Sequence, residues 1–153
     1  MSMSVLVSVP KFKLPAQVAW QRAIDEAGFD LKLDPGVEPA SHTGFWPCQF
    51  RRGLSGFELY YDDYVEISEL DGIADAGVPH AFSFVFGRWA DEAMSAIIAA
   101  SILAALTNCT LIDAEAGLTF APELTIAKAR QDVSTLEGLY AKQCESRKRR
   151  NAG

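Results

Sequence analysis

The spacing of apolar residues in the first part of the chain predicts a strand, a helix and a second strand. Residues 5–9 alternate as a strand does, and apolar side chains at helical spacing follow Pro15. Gly28 is well placed to end this helix, because glycine adopts the left-handed conformation found at helix C-termini. Residues 29–33 predict a short strand. Residues 34–46 contain two prolines and two glycines and predict a long loop.

The middle of the chain predicts a β-hairpin and a strand that is apolar on both faces. Residues 47–51 and 56–61 are expected to pair around a turn at residues 52–55, which includes a glycine. Residues 81–87 alternate phenylalanine with small or apolar residues, so this strand is expected near the middle of a sheet. Residues 62–79, which lie between these strands, fit either a further strand or a short helix.

The last part of the chain predicts a buried helix, a second hairpin and a terminal helix. Residues 90–106 are apolar nearly all round and predict a central buried helix. The uncharged run of residues 93–112 is long enough to span a bilayer, but serine, threonine and asparagine interrupt it, so we expect no membrane association. Residues 110–113 and 117–120 predict the hairpin. The terminal helix is expected to begin at Pro122. Its predicted inner face comprises Ile126, Ala129, Val133, Leu136 and Tyr140.

Together these elements predict an α+β fold, with a mixed, mainly antiparallel sheet and three helices packed mostly on one face. At 153 residues the chain has the size of one ordinary domain. We expect residues 1–145 to form a single globular domain. Residues 146–153 include four consecutive cations and are expected to form a basic, disordered tail.

Composition and charge narrow the classes of function. The net charge is −6, which argues against nucleic acid as the main ligand, because phosphate binding needs a concentrated positive surface. The first residues lack a charged region and a long apolar run, so we expect no signal peptide. The three cysteines are odd in number and far apart along the chain, which favours a reducing cytoplasm.

Sequence patterns typical of catalysis are missing from the chain. Residues 53–56 place a glycine one residue after Ser55, whereas a nucleophile elbow needs it two residues after the serine. No phosphate-binding loop, calcium loop or C-x-x-C pair occurs. We therefore expect a protein that is not an enzyme and that uses neither a cofactor nor a metal. An alternative is a small enzyme or small-molecule binder whose cleft gathers His42, Trp46, His80 and Trp89.

The charges of the chain are segregated. Between Arg52 and Arg88 there is no lysine or arginine, while seven acids and three tyrosines occur in that interval. One interpretation is a solvated acidic edge that prevents pairing with another chain. Another is a face that binds a basic protein, and a third is a catalytic acid pair such as Asp62 with Glu66. We predict the second. Its expected contact residues are Glu58, Tyr60, Asp62, Asp63, Tyr64, Glu66, Glu69, Asp71 and Asp75.

Several segments also carry a likeness to a known class of proteins. These are residues 56–61 (GFELYY), residues 82–89 (FSFVFGRW) and an alanine-rich helix that runs into residues 107–113 (TNCTLID). Over residues 45–120 the chain resembles small uncharacterised bacterial α+β domains, several of which are similar to immunity proteins. The resemblance implies a cytoplasmic protein that neutralises a basic toxin by covering its active surface. It implies no catalytic residue. A homodimer formed through an edge strand is a further alternative.

Overall fold

The structure, a computed structural model, describes residues 2–66 and 77–152. Its strands and helices follow the chain in a β-α-β-β-β-β-α-β-β-α order. The strands are β1 (Met3–Ser8), β2 (Leu31–Leu33), β3 (Gly44–Phe50), β4 (Gly53–Glu66), β5 (Gly77–Phe86), β6 (Leu111–Asp113) and β7 (Leu118–Phe120). The helices are α1 (Gln17–Glu26), α2 (Ala90–Thr107) and α3 (Thr125–Ala152). Short 3-10 turns at Lys11–Lys13 and Pro122–Leu124 precede α1 and α3.

The seven described strands form one sheet in the order β2-β3-β4-β5-β1-β6-β7, and every pairing is antiparallel. The phenylalanine-rich strand β5 is the central strand, as its apolar pattern predicted. The strand at each edge of the sheet has only three residues. Short edge strands limit pairing with other chains.

One face of the sheet is covered by helices and carries the main core. Phe82, Phe84 and Phe86 point toward this face, and α2 packs across it with Ile98, Ile102 and other side chains buried. The Trp20 indole of α1 donates a hydrogen bond of 3.0 Å to the carbonyl of Ala99 on α2. The predicted α+β fold is therefore confirmed. We call this side of the sheet the covered face.

Helix α2 is apolar enough and long enough to cross a membrane by composition alone. In the structure 78% of this segment is buried inside the protein. The reason lies in its sequence, because alanine and isoleucine occur on all sides of the helix and contact the sheet, α1 and α3. The helix ends at Asn108, whose φ of 56° is the left-handed conformation of a helix cap.

The β3–β4 turn lies earlier in the chain than the sequence predicted. Phe50 pairs with Gly53, which leaves Arg51 and Arg52 as a two-residue turn with φ values of 50° and 70°. Such turns need positive φ at both central residues, because that twist matches the twist of the strands. The prediction of a turn at residues 52–55 was wrong, since it placed the glycine of this segment inside the turn. Here two arginines adopt the conformation that glycine or asparagine favours.

Helix α3 continues to Ala152, through the residues for which the sequence predicted a disordered tail. The Arg147 guanidinium lies 3.3 Å from the Asp91 carboxylate and 4.1 Å from the centre of the Trp89 ring. The Arg149 guanidinium lies 3.3 Å from the Glu145 carboxylate one turn earlier. These contacts stabilise the helix beyond residue 146, and the sequence pattern did not show that they would form.

The β4–β5 ladder bends near its end. Pairing is continuous from Glu58 to Glu66 except at Asp63 and His80, and His80 has a φ of 50°. The alternation of side chains between the two faces shifts by one residue there. The evidence is that Val65 and Val78 pack with Leu6, Ala81 and Ile112 on the face opposite the helices. The structure thus favours the strand interpretation for residues 62–66 and 77–79. Residues 67–76 lie outside the described part of the chain.

Candidate protein-binding surface

The face of the sheet opposite the helices, which we call the open face, carries none of the helices of residues 2–66 and 77–152. Its buried cluster comprises Leu6, Val78, Ala81 and Ile112, with Val65 and Ala114 packed against it. Three large apolar or aromatic side chains on this face remain exposed: Phe45 at 56%, Leu54 at 86% and Tyr60 at 37%. Clustered exposed apolar groups are typical of a binding surface.

Strand β4 places three of the predicted contact residues on the open face. Phe57 and Leu59 are buried against the covered face, so the alternate residues Glu58, Tyr60 and Asp62 project from the other side. The Tyr60 hydroxyl donates a 2.7 Å hydrogen bond to the Glu58 carboxylate. This bond raises the pKa of Tyr60 above its ordinary value, because loss of the phenol proton would remove the bond.

The exposed ring of Phe45 extends this surface onto β3. Phe45 pairs with Glu58 across the two strands, and its ring lies over Gly56. A Cβ atom added to Gly56 would lie 2.3 Å from the ring atom Cζ of Phe45. The glycine therefore leaves the space in which the ring lies flat against the backbone. Phe45 and Leu54 belong to the surface, although the sequence analysis did not select them.

A signal for Phe45 was present in the sequence. Trp46, Cys48 and Phe50 alternate at strand spacing and are all buried. The same alternation places Phe45 on the opposite face. It was missed because residues 34–46 were predicted as a loop. Leu54 was missed because residues 52–55 were predicted as the turn.

Asp63 lies away from the open face, in a small polar cluster on the side of Tyr61. The Tyr61 hydroxyl lies 3.2 Å from the Asp63 carboxylate, to which it donates, and 3.1 Å from Nδ1 of His80. The Lys11 ammonium lies 4.6 Å from the centre of the Tyr61 ring. Partial desolvation, followed by the hydrogen bond to Asp63, raises the pKa of Tyr61. This cluster connects the start of the bend to the 3-10 turn at Lys11–Lys13.

Tyr64 and Glu66 lie beyond the bend and are exposed. The Tyr64 ring lies across Gly77, where an added Cβ atom would clash with it at 2.1 Å. By alternation both side chains point away from Val65, which packs on the open face. The remaining predicted contact residues, Glu69, Asp71 and Asp75, lie outside the described residues.

The surface is anionic and has few local counterions. Glu58, Asp62, Asp63 and Glu66 form no ion pair with any other residue in the described part of the chain. The strands that carry them, from Gly53 to Phe86, contain no lysine or arginine. The cations of a partner can therefore pair with these acids without displacing a described ion pair.

The side chains of the alternative cleft do not converge. Trp46 is fully buried and packs edge-on against Trp20, with 5.3 Å between ring centres. His42 lies near Trp46, at 6.2 Å between ring centres, and its Nε2 is 2.9 Å from the carbonyl oxygen of Phe45. His80 contacts Tyr61. Trp89 lies between two arginines at the start of α2. These are three separate environments.

Other chemical groups in the described residues do not form a second site. Asp62 and Glu66 are exposed and lie four strand residues apart, about 13 Å along an extended chain. Burial raises the pKa of the Cys48 thiol to about 11, which makes a thiolate scarce at neutral pH. No cluster of three or more metal-ligating side chains occurs in residues 2–66 and 77–152.

Comparisons with protein-family models, with curated protein sequences and with solved structures found no match to this chain. The surface therefore has to be interpreted from its own geometry and charge.

Proposed function

We propose that this protein binds a basic protein partner through the open face of its sheet. The observation that carries the proposal is that one face combines exposed rings with acids that form no ion pair within the described residues. Phe45 and Tyr60 are 56% and 37% exposed, and Glu58 and Asp62 lie beside them without a described cationic neighbour. Aromatic side chains supply contact area, and complementary charge supplies steering and selectivity.

The mechanism would be occlusion of the partner's surface. The paired strands β3 and β4 hold Phe45, Leu54 and Tyr60 in place before binding, so little ordering energy is lost when a partner contacts them. The acids would attract a cationic surface from a distance of about a Debye length. Phe45, Leu54 and Tyr60 would then be desolvated at the centre of the contact. The Tyr60 hydroxyl would stay hydrogen-bonded in this position, because it donates to the Glu58 carboxylate.

The biological setting that fits this mechanism is neutralisation of a basic toxin in the bacterial cytoplasm. The likeness of residues 45–120 to immunity-type domains supports this part of the proposal, and so does the acidic net charge of −6. A cationic toxin surface that engages an anionic substrate would be covered by the open face. In that case co-production of this protein with its partner should restore growth of cells that the partner alone inhibits.

A photo-crosslinking experiment tests the location of the contact. A benzoylphenylalanine residue is placed at Tyr60 on the open face, or at Leu124 on the helical side, where the native side chain is 56% exposed. We expect a basic protein from the native host to crosslink from position 60 and not from position 124. Equal crosslinking from both positions, or crosslinking only from position 124, would remove the open face from the account.

A further inference from the structure

The strand β4 continues beyond its neighbour β3. β3 pairs with β4 from Gly53 to Leu59, and the last pair is Gly44 with Leu59. β4 then continues to Glu66 with pairing to β5 alone among the described residues. The chain leaves the sheet at Gly44, where φ is 96°, and the His42 ring is held against the carbonyls of Gly44 and Phe45. Among the described residues no strand pairs with β4 on this side at Tyr60–Asp63, and we call this strand position the lane.

The β3–β4 turn determines which backbone groups face the lane. Antiparallel pairs alternate between hydrogen-bonded and non-hydrogen-bonded, and the pair that closes a two-residue turn is hydrogen-bonded. Phe50 and Gly53 form that pair. Pro47, which has no N–H, then falls opposite Gly56 in a non-hydrogen-bonded pair, as proline requires. Odd-numbered residues of β4 from 53 to 59 therefore direct their N–H and C=O groups toward β3.

The same alternation directs the N–H and C=O groups of Tyr61 into the lane. Tyr60 and Asp62, on either side of it, pair with Ser83 and Ala81 of β5. Their side chains project on the open face, while Asp63 projects on the side of Tyr61. A strand that entered the lane would thus find a backbone donor and acceptor at its centre, with a carboxylate on each side of the sheet.

We propose that an extended, cationic segment of the partner adds to the sheet in this lane, antiparallel to β4. The inference rests on the proposed function and names the mode by which the partner binds. Unpaired strand edges are templates for strand addition. Residues 53–86 contain no cation, so no register of two such edges brings a lysine or arginine opposite Asp62 or Asp63. Like charges placed opposite each other disfavour pairing, and so the occupant is a basic strand rather than the same strand edge of a second copy.

A set of three labelled peptides tests strand addition. The probe is a nine-residue peptide that alternates threonine and lysine, whose binding to the intact protein is measured by fluorescence anisotropy. Opposite Tyr61 the peptide residue has its N–H directed toward β4, and its neighbours have theirs directed away. Lysines fit opposite Tyr60 and Asp62, and a threonine fits opposite Tyr61. One variant peptide is N-methylated at the threonine amides, and a matched control is N-methylated at the lysine amides.

We expect the unmodified peptide and the lysine-methylated control to bind equally well. The threonine-methylated peptide should bind at least about tenfold more weakly, because its methyl groups point at the backbone of Tyr61. Asp62→Asn should weaken the binding of every peptide that binds the native protein, because the substitution removes only a charge. This pattern would support strand addition.

Equal binding of all three peptides, weakened by salt and by Asp62→Asn, would overturn strand addition while leaving the open face as the binding surface. Failure of the unmodified peptide to bind, or a larger loss from methylation of the lysine amides, would also overturn strand addition. The proposed function has a separate test, since it fails when crosslinking is not selective for position 60 over position 124, whatever the peptides do.

Discussion

The two faces of the sheet are built from the same strands and differ in the exposure of their side chains. Trp46 is fully buried on the covered face, while its neighbour Phe45 is 56% exposed on the open face. Leu59 is fully buried and Tyr60 is 37% exposed. Strand geometry sends successive side chains to opposite faces, so of two adjacent aromatic residues here one is buried in the core and the other is exposed. Exposure, more than residue type, therefore distinguishes the two faces and selects the proposed contact residues.

The largest difference between the faces should appear in a pair of alanine variants. Trp46→Ala should lower the free energy of unfolding by about 3–5 kcal/mol, because it empties a position packed against Trp20 and Phe57. Phe45→Ala is the matched control and should change it by less than about 1 kcal/mol. Urea unfolding monitored by circular dichroism measures both. Equal losses from the two variants would contradict the assignment of the faces.

The close approach of Phe45 to Gly56 predicts an intermediate effect. In Gly56→Ala the new Cβ would lie 2.8 Å from the carbonyl oxygen of Trp46, and backbone must shift to relieve this contact. We expect a loss of about 1–3 kcal/mol in unfolding free energy. Gly87→Ala, where a Cβ would have no neighbour within 4 Å, is the control and should be nearly neutral. A neutral Gly56→Ala would contradict the close approach of the Trp46 carbonyl oxygen to Gly56.

The turn that joins β3 and β4 offers a stabilising change. Arg52 has a φ of 70°, in the left-handed region that glycine adopts without steric cost. Arg52→Gly should therefore raise the unfolding free energy by about 0.5–1 kcal/mol. Thermal unfolding followed by circular dichroism measures the change. A loss of stability would argue against the two-residue turn.

The ion pair between Arg51 and Glu137 predicts a small, pH-dependent effect. The hydrogen bond from the Arg51 guanidinium lowers the pKa of Glu137. A lowered pKa in the folded state contributes stability above the ordinary pKa of the carboxyl, and this contribution is lost as pH falls through the lowered value. Both side chains are at least one third exposed, so Glu137→Gln should cost less than about 1 kcal/mol at neutral pH. Urea unfolding of the variant and the native protein should converge in acid. A difference that persists there would show that the charge of Glu137 is not its cause.

The fold was more accessible from the sequence than the surface was. Apolar alternation identified β5 as central, and all-round apolar character identified α2 as buried, because both patterns follow directly from burial. The β3–β4 turn was misplaced, since its two arginines carry no turn signal. The helical continuation of α3 depends on contacts of Arg147 with Trp89 and Asp91, which are distant in sequence.

The candidate surface was predicted only in part. The charge pattern selected Glu58, Tyr60 and Asp62, which do share the open face. It also selected Tyr64 and Glu66, which lie past the bend at His80 and point away from the open face. The third residue that it selected wrongly for this face is Asp63, which faces Tyr61. A run of charged residues along the chain does not show on which face of a strand each side chain lies. The alternation between faces also shifts where His80 takes its left-handed conformation. The exposure of Phe45 could be predicted only from the correct boundaries of β3.

The salt dependence of partner affinity tests the central claim most directly. The variant Glu58→Gln/Asp62→Asn removes two acids from the open face, and Glu26→Gln/Glu123→Gln removes two exposed acids from the helical side with the same change in net charge. We predict that the first variant weakens binding of the crosslinked partner by about fivefold to tenfold at low salt and flattens the salt dependence. The second should match the native protein. Equal affinities and equal salt slopes for the two variants would contradict the account.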